Sequence, residues 1–214
     1  MQTKHRVIEH IREAFCDTER PGDAFLQGIH EGCEPGESVA PFIGVADWSQ
    51  LDPAILNASY NALSFFSEGG FRYFLPAYLI ADLEERLQTA DPVFHLTNGF
   101  FDKVLTMPAG PRVYEKTIGK SAFVNPLRYG AMTWHDHARC QLSVFTREEA
   151  GAIVAYLEFK RDADLHRLNA DEINASLESF WRDLAANGPT HQAVRQALKE
   201  EADYLKEIGG GTSR

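Results

Sequence analysis

Cysteine is scarce in this sequence, and its positions do not favour shared chemistry. Cys16, Cys33 and Cys140 are odd in number, far apart and outside any C-x-x-C pair. Such a pattern is typical of reduced thiols in a cytoplasmic protein, not of a disulfide framework. A chain of 214 residues also buries enough apolar surface to fold without disulfides or structural metals.

Basic residues are in deficit, with 21 Lys and Arg against 31 Asp and Glu and a formal charge of −10. The deficit argues against nonspecific binding to nucleic acid, whose phosphates need cationic partners, and against binding to anionic membranes. It is compatible with a basic protein partner that is steered to an acidic surface.

Long apolar runs are missing as well. No segment approaches the roughly 18 apolar residues that span a bilayer. The first segment, "MQTKHRVIEHIREAF", carries charges throughout, where a secretory signal has an apolar region. We therefore expect a cytoplasmic protein with no membrane association.

The familiar catalytic and nucleotide-binding motifs are also lacking. "SEGGF" and "IGGGTSR" contain glycines, but neither forms G-x-G-x-x-G or a P-loop. There is no G-x-S-x-G elbow and no H-E-x-x-H pair. Serine-hydrolase and nucleotide-dependent activities are not expected, and no cofactor is expected.

Helix signals are present at both ends of the chain. The spacing of Val7, Ile8, Ile11 and Phe15 predicts a helix that ends near Asp17. The other predicted helices are one capped by Asp52 with Pro53 first, one opened by the capping box of Thr146 and Glu149, one from Asn169 to Gly188-Pro189, and one over 191–208.

Two stretches have no clear period. Residues 20–47 read as a long loop, and residues 91–133 mix β-prone pieces with turn signals, so they form a possible insertion. We expect one α+β domain over 1–208. It is helix-rich, with roughly six helices, a small antiparallel β element near 64–75 and room for another within 93–133. Residues 209–214 are expected to be a disordered tail.

The stretch "LSFFSEGGFRYFLPAYLIADL" concentrates aromatic residues around Gly69 and Gly70. It fits a hairpin turning at the glycines, or two helices joined by a Gly-Gly break. We favour a turn or hairpin that feeds a helix over 75–89. The apolar residues should form the centre of the core. Arg72 is a candidate binding residue that could instead stack on the neighbouring aromatic rings or pair with a carboxylate.

"WHDHARC" is the sharpest polar cluster. On a strand, His135 and His137 would point to one side and could chelate a divalent metal, whereas on a helix they would not converge. Asp136 would face the opposite side of the strand. His135, Asp136 and His137 are therefore candidate binding residues, although a solvated or hydrogen-bonded histidine pair is the simpler explanation of the pattern.

The stretch from Leu63 to Leu83, with "FTREEAGAIVAYLEF" further on and "DWSQLDPAIL" upstream, resembles an uncharacterised family of small bacterial proteins. The resemblance is specific at 65–83, looser at 145–159 and absent from 91–133. It implies a soluble, cytoplasmic, bacterial protein, but no activity and no site residue.

The leading hypothesis for function is a non-enzymatic binding protein with an acidic surface, of which an immunity or inhibitor protein facing a basic partner is one form. The alternative is a small metal-dependent hydrolase that uses His135 and His137. A third possibility is a homo-oligomeric structural protein. Net charge supports the first hypothesis, and the H-x-H pair supports the second.

Overall fold

The computed structural model describes residues 3–110, 112–164 and 169–209. These ranges form a helix-rich α+β domain, which confirms the predicted fold class. None of their helices is long and apolar enough to cross a bilayer. The helices are α1 (Lys4–Phe15), α2 (Glu34–Val39), α3 (Pro53–Ala58), α4 (Glu68–Leu83), α5 (Pro92–Thr97), α6 (Trp134–Leu142), α7 (Arg147–Ala163), α8 (Ala170–Ser176), α9 (Arg182–Asn187) and α10 (His191–Gly209).

Four strands form two small antiparallel sheets. They are β1 (Asp102–Ala109) paired with β2 (Arg112–Gly119), and β3 (Phe123–Val124) paired with β4 (Met132–Thr133). In the first sheet Asp102 lies opposite Gly119 and Met107 lies opposite Tyr114. Both sheets fall within the stretch for which the sequence left room for a β element.

Helix α4 lies at the centre of the core. Of its 16 residues, 14 are buried, including polar Glu68 and Arg72. Helices α1, α5 and α10 pack against it, and α7 packs on α1. A helix that is covered all round carries apolar residues on every side, which explains why its sequence shows no clean helical period.

The prediction of a β element near 64–75 is wrong. Within 64–75 only Phe66 makes a strand-type bridge, to Gln27, and Gly69 and Gly70 lie in the first turn of α4. Ser67 caps the helix by accepting the N–H of Gly70 at 2.9 Å. A Cβ on Gly70 would lie 2.7 Å from the backbone oxygen of Leu26, so glycine is needed for close packing and not for a turn.

The helix predicted over 75–89 is misplaced at both ends. It starts at Glu68 and ends at Leu83, and Pro76 lies inside it without stopping it. Glu85, two residues after the end of the helix, adopts the left-handed conformation that commonly terminates helices, with φ of 60°.

The locally signalled helices form as predicted. Asp52 accepts the N–H of Ala54 at the start of α3. Thr146 and Glu149 form the reciprocal capping box of α7. Helices α8 and α9 are joined without a break by a π-helical segment, Leu177–Trp181, although the side chain of Asn169 makes no capping bond.

The two stretches without a period contain short elements. Residues 20–47 include α2 and single turns of 3-10 helix, so they are less irregular than a long loop. Residues 91–133 include α5, whose Val93 and Leu96 are buried in the core, and the hairpin of β1 and β2, which packs mainly on itself. Of the expected disordered tail, residues 210–214 lie outside the described ranges.

Candidate functional site

The N-terminus of α4 carries a buried acidic cluster. The Glu201 carboxylate, from α10, accepts the backbone N–H of Glu68 at 2.6 Å and that of Gly69 at 2.9 Å. These N–H groups have no partner within the helix, and the helix dipole favours a negative charge there. Glu201 thus caps the central helix from the last helix of the chain.

The side chain of Glu68 lies beside this cap and is 9% exposed. Arg128, from the loop between β3 and β4, places Nη1 2.7 Å from Glu68 Oε1 and 3.7 Å from Glu201 Oε1. The hydroxyl of Tyr129 donates to the same Glu68 oxygen. Two carboxyl groups therefore share one guanidinium.

Burial and the neighbouring charge of Glu201 raise the pKa of Glu68 to about 7. Burial also raises the pKa of Glu201. Burial, together with the Glu68 carboxyl, raises the pKa of the Tyr129 hydroxyl, which therefore remains a hydrogen-bond donor. At neutral pH, Glu68 is a carboxyl group that can hold or give up a proton.

Glu68 opens onto a cavity of about 370 Å³, here called the aromatic cavity. Its walls come from the segment before α4, from α4 itself, from α5 and from α6. The apolar lining is Ile29, Leu63, Phe66, Phe71, Phe94, Trp134, Ala138 and Leu142, and the polar lining is Ser64, Ser67, Glu68, His95, Asn98, His137 and Gln141.

A glycine holds one wall of the aromatic cavity in place. Gly99 has φ of +93°, and a Cβ there would lie 2.5 Å from the Trp134 ring and 2.7 Å from Ala138. Helix α6 can therefore approach the end of α5 closely only over a residue without a side chain.

The two histidines of the aromatic cavity are kept neutral by their surroundings. Burial lowers the pKa of His95 to about 4. Its ring lies 5.3 Å from that of Phe94 and 6.4 Å from that of Phe71, measured between centroids. Burial also lowers the pKa of His137, which lies edge-on to Tyr129 and Trp134.

The structure separates the three candidates of the "WHDHARC" cluster. They lie on α6, not on a strand, so His135 and His137 do not converge as a chelating pair would. His137 lines the aromatic cavity, whereas the His135 ring packs edge-on against Phe100 at 5.7 Å. Asp136 is exposed and accepts the Thr133 hydroxyl at 2.7 Å.

Within the described ranges, no group of three or more His, Cys, Asp and Glu side chains could hold a metal ion. The metal-dependent hydrolase was predicted on a converging His135 and His137 pair, and their placement on a helix does not form that pair. Cys33 and His30 are exposed in the chain before α2 and do not line the aromatic cavity.

Arg72, the fourth candidate, lies on α4. It is 3% exposed, and its guanidinium pairs with the Glu149 carboxylate at 2.7 Å. This is the carboxylate pairing that the sequence offered as an alternative to binding. Arg72 also borders a second cavity, of about 300 Å³, between α4 and α10.

Sequence reasoning missed the central group of the site. Glu68 was treated as part of a turn, and Glu201, Arg128 and Tyr129 carried no signal because they lie 60 to 133 residues from it. A helix reading of the Ser67–Gly70 stretch, with Ser67 as its cap, would have placed Glu68 in a first turn and drawn attention to it.

Comparison with known families covers only the part of the site that lies before residue 104. No solved structure matches the chain significantly. The family match takes in Glu68 and His95 but not α6, Arg128 or Glu201, and it leaves out the looser resemblance at 145–159. Residues 3–103 match a family of unknown function (DUF6714), which confirms the resemblance to an uncharacterised family.

Proposed function

We propose that this protein binds a small, mostly apolar molecule in the aromatic cavity. The observation that carries the proposal is a cavity of about 370 Å³ in which aromatic walls surround one buried carboxyl group. Small-molecule sites commonly start near 300 Å³ and combine apolar walls with a few convergent polar groups.

The rim of the aromatic cavity supports entry of a ligand from solvent. Ile29 is 43% exposed and Phe94 is 48% exposed, and both also line the cavity. Their exposed area would be covered by the apolar body of a bound molecule. Burial of that area would contribute roughly 25 cal/mol per Å² to binding.

Ligand-observed NMR with a set of aromatic fragments tests this proposal. Ser64 is exposed and lines the cavity, so Ser64→Trp should fill the mouth and abolish fragment binding. Ser179→Trp is the matched control, since Ser179 is also an exposed serine but does not line the cavity. The proposal fails if no fragment binds the wild type, or if Ser64→Trp binds fragments as well as the control does.

Self-association is a second candidate function, favoured by the hairpin of β1 and β2. Five large apolar residues there are 44% to 65% exposed. They are Val104, Leu105, Met107, Val113 and Tyr114. A second copy of this chain would present the same exposed side chains, so two hairpins packed together would remove both sets from water.

Light scattering of the wild type and of a Val113→Ser/Tyr114→Ser variant tests self-association. We expect dimers or larger assemblies that the variant loses, and a monomeric wild type would contradict the proposal. The basic protein partner of immunity or inhibitor type, the bacterial origin and the cytoplasmic location remain predictions from the sequence.

A further inference from the structure

We propose that the ligand of the aromatic cavity is an organic cation, an amine on an aromatic or other apolar body, with the Glu68 carboxylate as its counter-ion. This inference rests on the proposed function, because it names the chemistry of the molecule that fills the same cavity. It is carried by the charges that line the cavity and by those just behind its wall.

The lining contains no lysine and no arginine. Among its 15 residues Glu68 is the only acidic group, and His95 and His137 are the only other residues that could carry charge. Burial keeps both imidazoles neutral at pH 7. A cation placed in this cavity therefore meets one carboxyl group and no like charge.

The charged groups behind the cavity wall are not fully balanced, so one more positive charge would be favourable there. The titratable neighbours of Glu68 are Glu201 of α10, Arg128 and Tyr129 of the β3–β4 loop, and Cys140 of α6, while His137 of α6 contacts the Tyr129 ring. Only Arg128 among them is a cation, and it lies between the two carboxyl groups. When both are ionised the cluster has one negative charge in excess, which a ligand ammonium would neutralise.

The aromatic walls favour the same class of ligand. Phe66, Phe71, Phe94 and Trp134 line the cavity, and ring faces attract ammonium groups. The net charge of −10 raises the local concentration of cations around the whole protein. A carboxylate ligand, by contrast, would face Glu68 and an acidic surface.

Three probes of similar size distinguish a cationic, a neutral and an anionic ligand. They are 2-phenylethylamine, 2-phenylethanol and 3-phenylpropionate, respectively. In calorimetry at pH 8, we expect the amine to bind at least about tenfold more tightly than the alcohol, the size of effect that one charge-assisted contact gives. The amine should release a proton from Glu68 when it binds near pH 7, seen as heats that differ between buffers of different ionisation enthalpy.

Glu68→Gln should remove both the preference for the amine and the proton release, while the alcohol binds as before. If this variant does not fold, the wild type at pH 5 serves instead, because protonation of Glu68 should shrink the preference without any substitution. An amine that does not bind, or that binds no better than the alcohol, overturns the inference. In the second case an alcohol that Ser64→Trp excludes shows that the cavity still binds ligands, so the proposed function survives.

Discussion

The guanidinium of Arg72 and the carboxylate of Glu149 form a solvent-excluded ion pair between α4 and α7. Arg72 donates Nε to Oε2 at 2.9 Å and Nη2 to Oε1 at 2.7 Å. The same carboxylate accepts the Thr18 hydroxyl at 2.7 Å and the Thr146 N–H at 2.8 Å. One carboxylate therefore both caps α7 and ties it to the central helix.

Arg72→Met should destabilise the protein by about 3–5 kcal/mol, because it leaves Glu149 ionised and buried without its cation. Urea denaturation measures the change. The matched control is Arg182→Met, which breaks the exposed pair with Glu158 and should cost less than about 1 kcal/mol. Equal losses in the two variants would show that loss of the buried pair costs no more than loss of the exposed pair, contrary to the prediction.

Two adjacent glycines in α4 should respond in opposite ways to the same substitution. Gly70→Ala forces a Cβ to 2.7 Å from the Leu26 carbonyl oxygen, which is backbone and cannot easily move. Gly69→Ala meets nothing closer than 3.5 Å. We expect Gly70→Ala to destabilise by about 1–3 kcal/mol, the usual cost of overpacking.

Gly69→Ala should be neutral or stabilise by up to about 1 kcal/mol, because alanine restricts the unfolded chain. Thermal denaturation of both variants checks the pair. If both substitutions are tolerated, the close approach of α4 to Leu26 is not a constraint on the fold.

Glu68 should make stability depend on pH. Its pKa rises from 4.5 in the unfolded chain to about 7 in the fold, so its stabilising contribution is complete below pH 4.5 and is lost as pH rises through 7. Relative to Glu68→Gln, the wild type should therefore lose up to about 3 kcal/mol between pH 4.5 and 7.5.

Urea denaturation of both proteins across this range tests the effect of Glu68. The difference between them isolates Glu68 from His95 and His137, whose lowered pKa values act in the opposite direction. Glu178→Gln, at an exposed position, controls for the substitution itself. If the difference in stability between the wild type and Glu68→Gln does not change with pH, then folding does not raise the pKa of Glu68 and the prediction is wrong.

His95 should act in the opposite sense. Burial holds its pKa at about 4, below 6.5 in the unfolded chain, so its contribution is complete above pH 6.5 and is lost as pH falls through 4. Compared with His95→Gln, the wild type should lose up to about 3 kcal/mol between pH 6.5 and 4.

Chemical denaturation of the His95 pair at several pH values measures this loss. His30→Gln is the control, since His30 is exposed in the chain before α2. Parallel pH curves for the wild type and His95→Gln would contradict the burial of His95.

The helices that the sequence predicted correctly are determined by interactions between residues that are close together in the chain. Asp52 caps α3 next to Pro53, and Thr146 and Glu149 close the capping box three residues apart. The apolar spacing of α1 likewise needs only one buried face. Such patterns report local hydrogen bonds and helix geometry, so they survive without knowledge of the fold.

The start of α4 shows the opposite case. Gly69, Gly70 and Pro76 are all poor helix formers, so local propensity favours a break. The helix forms because Glu201 accepts two of its free N–H groups and because the core surrounds it. Neither cause is visible within the segment itself.

The sequence alone therefore determined the helix-rich class, the locally capped helices and the apolar centre of the core, because each follows from side-chain spacing and caps. His137 could be named as a candidate, but not its role in lining a cavity. Only the tertiary structure brought Glu68, Arg128 and Glu201 together across as many as 133 residues. The burial of Glu68 next to Glu201, which sets the proton affinity of Glu68, is a property of packing and has no local signature.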